Sequence, residues 1–167
     1  VVGLNGNTNT VELQYSNNPY EENDTTTTPP DTVIVFTFAA DINKIDGSEL
    51  GVKLDGAEFE LSADPAGAKR LYVKSNGDNT YSPDVGYTPK DAQDKGLQMV
   101  SSVSSNMMIK GRDSGIYYLK ETKAPGEYNP LTDMIRIEIQ AEYIDDADRQ
   151  GWMPDNEALI KITGMVN

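Results

Sequence analysis

The chain has 167 residues, 37% of them hydrophobic, and sets 14 Lys+Arg against 27 Asp+Glu for a formal charge of −13. That is apolar material for one good core, or one domain and a fragment of a second, in a soluble globular protein, and the charge argues against nucleic acid and anionic membranes as partners. With no Cys and no His, disulfides, thiolate and imidazole metal sites, Cys nucleophiles and Ser/His/Asp triads are excluded, which leaves Lys, carboxylates, Tyr and backbone to carry any chemistry.

No apolar run approaches the roughly 18 residues of a membrane-spanning helix, and the first residues lack a basic stretch followed by an apolar one. The chain reads as a mature ectodomain or a piece of one.

Val11 to Asn17, "VELQYSN", alternates Val11, Leu13, Tyr15 and Asn17 against Glu12, Gln14 and Ser16, the pattern of a half-buried strand. "NPYEENDTTTTPPD", Asn18 to Asp31, is polar, proline-bearing and aperiodic. It predicts an extended spacer, with a domain boundary near Pro30. Val33 to Lys44 is rich in β-branched and aromatic residues and predicts one strand, with Ile34, Phe36, Phe38, Ala40, Ile42 and Lys44 sharing a parity.

Ala57 to Leu61 predicts a second strand with Ala57, Phe59 and Leu61 on one side, and "KRLYVKS" around Tyr72 a third. Asn76 to Asp94, dense in Gly, Pro, Asn and Asp, reads as loop, and Pro89 to Lys95 as a candidate short helix. One or two short strands fit "GLQMVSSVSSNMMIKG", followed by a clear one at "GIYYLKET". Met134 to Tyr143 alternates with its isoleucines inward, "DDADRQG" is an acidic turn, and Ala158 to Asn167 is the last strand. Many short strands, turn residues between them and no convincing amphipathic helix predict an all-β, antiparallel β-sandwich.

Three polar groups stand out against that pattern. Lys44 ends the apolar face of the first strand, Glu121 shares a parity with Tyr117 and Leu119, and Asn167 closes the last strand. First and last strands are often neighbours in a sandwich, which would bring Lys44 to Asn167 with Glu121 facing them across the core. An amine removed from water is disfavoured as ammonium and becomes a nucleophile, while a buried carboxylic acid can hydrogen-bond a carboxamide oxygen and shuttle protons. Attack of the amine on the carboxamide expels ammonia and leaves an intramolecular isopeptide bond.

These residues sit in recognisable motifs: "INKIDG" with Lys44, "LDGAEFEL", "GIYYLKETKAPGEYNPL" and "ITGMVN". Together they resemble a CnaB-type (reverse-Ig-like) domain of a Gram-positive sortase-assembled pilin backbone or surface adhesin, and "YYLKETKAPGEY" is similar to that family's E-box. The resemblance covers about residues 33–167. It implies Lys44 as the amine, Glu121 as the catalytic acid, Asn167 as the acceptor amide, and a cell-surface, cell-wall-anchored structural module of a pilus shaft with one self-catalysed turnover. It implies no cofactor and no metal. Its neighbours would be other pilin subunits, joined by sortase-made links outside this segment, because no LPxTG-like sequence or hydrophobic anchor occurs here. "NTVELQYSNNP" is similar to the last strand of a preceding pilin domain, so residues 1–30 are expected to be that strand and a linker, with Asn17 a candidate acceptor for an upstream lysine, and residues 31–167 the sandwich domain.

Asn167 shares its parity with Lys161, Thr163 and Met165 rather than with Ile160, Ile162 and Val166. A bulge at Gly164 is needed to bring it to the isoleucine side. Plainer readings stand beside these: Lys44 snorkelling to solvent, Glu121 paired with Lys120, Lys123 or Arg112, and Asn167 a frayed end. Asn129 is a competing amide, placed in a loop by "GEYNPL". The alternative function is an adhesin domain of the same fold that recognises a host surface ligand, matrix or glycan, through residues 76–106. "DINKIDG" lacks the ligand spacing of a calcium loop, "GRDSG" is a turn, and no carboxylate pair suggests a glycosidase.

Overall fold

Alternating side chains and β-branched residues give sixteen strands among the described residues. A computed structural model describes residues 7–16, 20, 25–35, 37–49, 51–140, 143–146, 151–154 and 159–163. Strands β1 (Asn7–Val11), β2 (Gln14–Ser16), β3 (Thr25–Thr27) and β4 (Asp31–Val35) form two antiparallel ribbons, β1 with β4 and β2 with β3. They are followed by β5 (Phe38–Ile42), β6 (Glu58–Ser62), β7 (Arg70–Leu71), β8 (Val73–Gly77), β9 (Thr80–Pro83), β10 (Met99–Val100), β11 (Met107–Arg112), β12 (Gly115–Lys123) and β13 (Ile135–Gln140). Strands β14 (Tyr143–Asp146) and β15 (Gly151–Pro154) pair with each other, and β16 (Leu159–Thr163) is the last.

One sheet runs β10-β6-β12-β13-β16, with β7 paired to β6, and the other runs β5-β11-β9-β8. Their buried faces meet in a single cluster that includes Phe38, Ala40 and Ile42 from β5, Ile109 from β11, Phe59 and Leu61 from β6, Leu119 from β12, and Ile137 and Ile139 from β13. The architecture is therefore the all-β sandwich that the alternation predicts, antiparallel except for β9 and β11, which run parallel. The isoleucines of β13 turn inward as expected: Ile137 and Ile139 are buried.

Three local expectations are corrected. The strand expected over Val33–Lys44 is two strands in different sheets, β4 pairing with β1 and β5 with β11. Val33 and Val35, of the other parity, are exposed. The segment 76–94 contains a hairpin, β8–β9, turning through Asp78 (φ 50°) and Asn79 (φ 57°). Asp and Asn tolerate left-handed backbone, and two such residues make a tight turn. Residues 89–95 form bends and turns rather than a helix. Asp94 takes the amides of Lys90 (2.9 Å) and Gly96 (3.0 Å) and the Tyr87 hydroxyl (2.5 Å), so its carboxylate competes with the helix ladder for those donors.

The same loop packs over the outer face of β6, where buried Glu60 pairs with Arg70 (3.1 Å) and lies 3.7 Å from Lys95. Gly96 sits here at φ +64°, and a Cβ on it would stand 2.8 Å from the Tyr72 ring. Gly96→Ala therefore combines backbone strain with a clash and is expected to cost about 1–3 kcal/mol. Thermal unfolding is the check, and an unchanged midpoint would contradict this packing.

Candidate functional site

The sandwich has one end where β5 and β12 both finish. Beyond Ile42 the parity of Phe38, Ala40 and Ile42 carries on to Lys44, which keeps its side chain on the core side. Its carbonyl accepts the Leu54 amide at 2.8 Å, and Ile45 bridges Lys53, so a hairpin over residues 45–53 fixes the backbone around it. On the opposite sheet Glu121 follows Leu119 on the inward face of β12 and stands opposite Phe59 of β6. The ladder shifts immediately after it, between Glu121 and Lys123. The Thr122 hydroxyl donates to the Glu58 carbonyl at that shift, at 3.2 Å.

Lys44 Nζ lies 3.1 Å from Glu121 Oε1, with the two side chains 16% and 0% exposed. Glu121 Oε2 accepts the Leu131 amide at 2.8 Å. Oε1 is buried and within ion-pair distance of the lysine, yet no hydrogen bond is aligned on it among the described residues. A buried carboxylate oxygen retains acceptor capacity that favours a further donor or a shared proton. The pair thus sets an amine against an acid in a site screened from water, with one oxygen pinned and the other open to proton transfer.

The structure brings Lys44 and Glu121 together across the core, as the sequence leads one to expect. The plainer pairings of Glu121 do not occur: Lys123 reaches Glu58 instead (2.9 Å), and buried Arg112 lies at the opposite end of β12, opposite Phe38 in the ladder. Burial pushes the Arg112 guanidinium below its ordinary value, with Tyr117 opposing the shift. Asn129 is exposed. Asn17 and Asn167 lie outside the described residues, as does Gly164. The expected pairing of first and last strands is not found over the described residues: β5 pairs with β11, and β16 with β13 in the other sheet. Because β12 and β16 are both antiparallel to β13, β16 runs in the direction of β12, toward the end that holds Glu121.

Sequence reasoning missed two groups near the pair. One is the Leu131 amide. The other is a hydrogen bond from the Tyr128 hydroxyl to Asp46 Oδ2, at 2.6 Å. "GEY" within the E-box-like motif marks Tyr128, but nothing in the periodicity marks its partner. Among the described residues no group of three or more His, Cys, Asp or Glu converges as a metal site, and no helix is long and apolar enough to cross a membrane.

The profile of the family described as the SpaA prealbumin-like fold domain matches residues 39–149. No curated protein matches. Among solved structures the chain is similar to the group B streptococcus pilus 2b backbone protein, at 26% identity over 72% of this chain and 38% of that one, TM-score 0.47. It is also similar to BcpA, the major pilin subunit of Bacillus cereus, at 23% identity over 90% of this chain and 37% of that one, TM-score 0.48. A third is the pilus backbone RrgB from Streptococcus pneumoniae, at 18% identity over 67% of this chain and 36% of that one, TM-score 0.47. The chain thus spans well under half the length of these proteins.

Proposed function

The chain belongs to the SpaA prealbumin-like domain family, and on that premise we propose that it is a structural module of a cell-surface pilus shaft, stabilised by a self-made isopeptide bond between Lys44 and Asn167. The observation that carries the reading is the Lys44–Glu121 contact, 3.1 Å long and closed to solvent on the Glu121 side. Two charged residues from opposite sheets meet inside a core, where an ion pair is a weak source of stability. A reaction gives that arrangement a purpose.

In the proposed step a proton passes from Lys44 Nζ to Glu121 Oε1, leaving a neutral amine and a carboxylic acid. The acid hydrogen-bonds the Asn167 carboxamide oxygen while Nζ attacks the carboxamide carbon. The new C–N bond forms, the old one to the amide nitrogen breaks, and Glu121 carries the amine proton to the departing nitrogen, which leaves as ammonia. No oxidant, metal or cofactor enters the balance. The direction of β16 supports Asn167 as the acceptor, since the strand runs toward the Glu121 end as far as Thr163. The reading requires a one-residue bulge between Thr163 and Asn167, because Ile162 stands opposite buried Ile137 and the simple alternation puts Asn167 on the other face.

Residues 31–167 are proposed as the sandwich domain, and residues 1–30 as the terminal strand of a preceding pilin domain with its linker, Asn17 accepting a lysine upstream. Sortase-made links to neighbouring subunits and a cell-wall anchor belong to the same proposal. One observation favours host-ligand binding as a second reading: Val85, Leu97, Val100 and Val103 are exposed within residues 76–106. Loss of binding to host matrix or glycan on changing Val85 and Val103 to Ser would favour it over the shaft.

Intact-mass measurement tests the main reading. The expected mass is that of the sequence less one ammonia, with peptide mapping joining Lys44 to Asn167. The full sequence mass, or a link to another amide such as Asn129, would refute it.

A further inference from the structure

We propose that Tyr128 and Asp46 form a brace that sets the spacing of Lys44 and Glu121, making both of them positioning residues for amide formation. This inference rests on the isopeptide reading above. Asp46 is two residues beyond Lys44, and Tyr128 lies between Glu121 and Leu131, whose amide holds Glu121 Oε2 at 2.8 Å. The Tyr128 hydroxyl, 82 residues from Asp46 in sequence, donates to its Oδ2 at 2.6 Å. That bond links the segment following β5 to the segment following β12, and so ties the two sheets at the end where the reacting pair sits.

Both residues are held by further hydrogen bonds. Asp46 Oδ1 accepts the Ser48 amide (2.8 Å) and hydroxyl (2.7 Å), and the Asp46 amide donates to the Val52 carbonyl (2.9 Å) inside the 45–53 hairpin. Tyr128 is held by its own amide, which donates to the carbonyl of buried Pro125 at 3.0 Å. The Tyr128 hydroxyl, and after it Ser48, holds the Asp46 carboxyl down at about 2, and the same contact raises Tyr128. Asp46 therefore remains a charged acceptor from about pH 4 upward, and the brace weakens only as pH falls from there toward about 2.

Neither residue touches the atoms that react. Their effect would come through geometry, to which amide-forming attack is sensitive: misplacement by about 1 Å costs on the order of a hundredfold in rate. The brace supplies a sheet-to-sheet distance that does not depend on Lys44 or Glu121 themselves, and it survives the consumption of their charges in the reaction.

The test follows ammonia loss by intact mass at intervals after cell-free synthesis of the whole chain. Tyr128→Phe keeps the ring and removes the hydroxyl, and is expected to slow the loss about tenfold or more. Asp46→Ala should slow it equally, the double variant no further than the slower single, and Asp46→Asn, which retains an acceptor, should recover part of the rate. Gly96→Ala, destabilised in the loop on the outer face of β6 rather than on the core side where Lys44 meets Glu121, should react at the rate of the unaltered chain. Tyr128→Phe reacting at the unaltered rate, or Gly96→Ala slowing as much, overturns the brace and leaves the isopeptide reading standing. An unaltered chain that keeps its full mass overturns both.

Discussion

Glu121→Ala is expected to be recovered at its full sequence mass, with no ammonia lost, and to unfold far below the unaltered protein. The link proposed between Lys44 and Asn167 closes about 123 residues of chain. By the loop-entropy argument used for disulfides, that constraint stabilises the fold by about 4–5 kcal/mol. For a chain of this size the loss corresponds to a fall of about 10–20 °C in the thermal midpoint. Glu121→Gln separates chemistry from packing. Its amide oxygen can still accept the Leu131 amide, but the side chain cannot take up and return a proton, so it too should keep its full mass. A Glu121→Gln protein that loses ammonia normally would remove Glu121 from the reaction.

Phe59→Ala should produce the second largest effect. Phe59 is 2% exposed and stands opposite Glu121 in the β6–β12 ladder. Truncating a buried phenylalanine costs about 3–5 kcal/mol, because the transfer energy of the ring is lost and a cavity remains. Here the cavity would open beside the Lys44–Glu121 pair. Water entering it would solvate the ammonium and the carboxylate and oppose the proton transfer that starts the reaction. The expected result is a lower unfolding midpoint together with a larger fraction of unlinked chains by intact mass. A normal linked fraction in a destabilised variant would mean that dryness at this position does not govern the chemistry.

Much of the site was legible because it obeys strand parity. Lys44 continues the inward series of Phe38, Ala40 and Ile42, and Glu121 that of Leu119, so two polar residues on apolar faces pointed to one location. The E-box-like motif pointed to the family that the profile match identifies. Illegible features depend on contacts that no local pattern encodes. At the break between β4 and β5 the two halves take different partner strands, β1 and β11. The turns of residues 89–95 follow from one carboxylate, Asp94, capturing nearby donors. The Leu131 amide reaches Glu121 through a loop, and Tyr128 reaches Asp46 across 82 residues.

That Lys44 and Glu121 come from different sheets also bears on the protein's history. In a disordered chain they are 77 residues apart in sequence and seldom meet. They reach contact only when β5 and β12 have docked face to face. On the isopeptide reading, a chain that misfolds or stalls halfway never acquires the bond, and one that completes its fold is sealed in that state. The missing ammonia would then act as a permanent certificate of correct folding, written once into each molecule and readable on a balance long after the folding event.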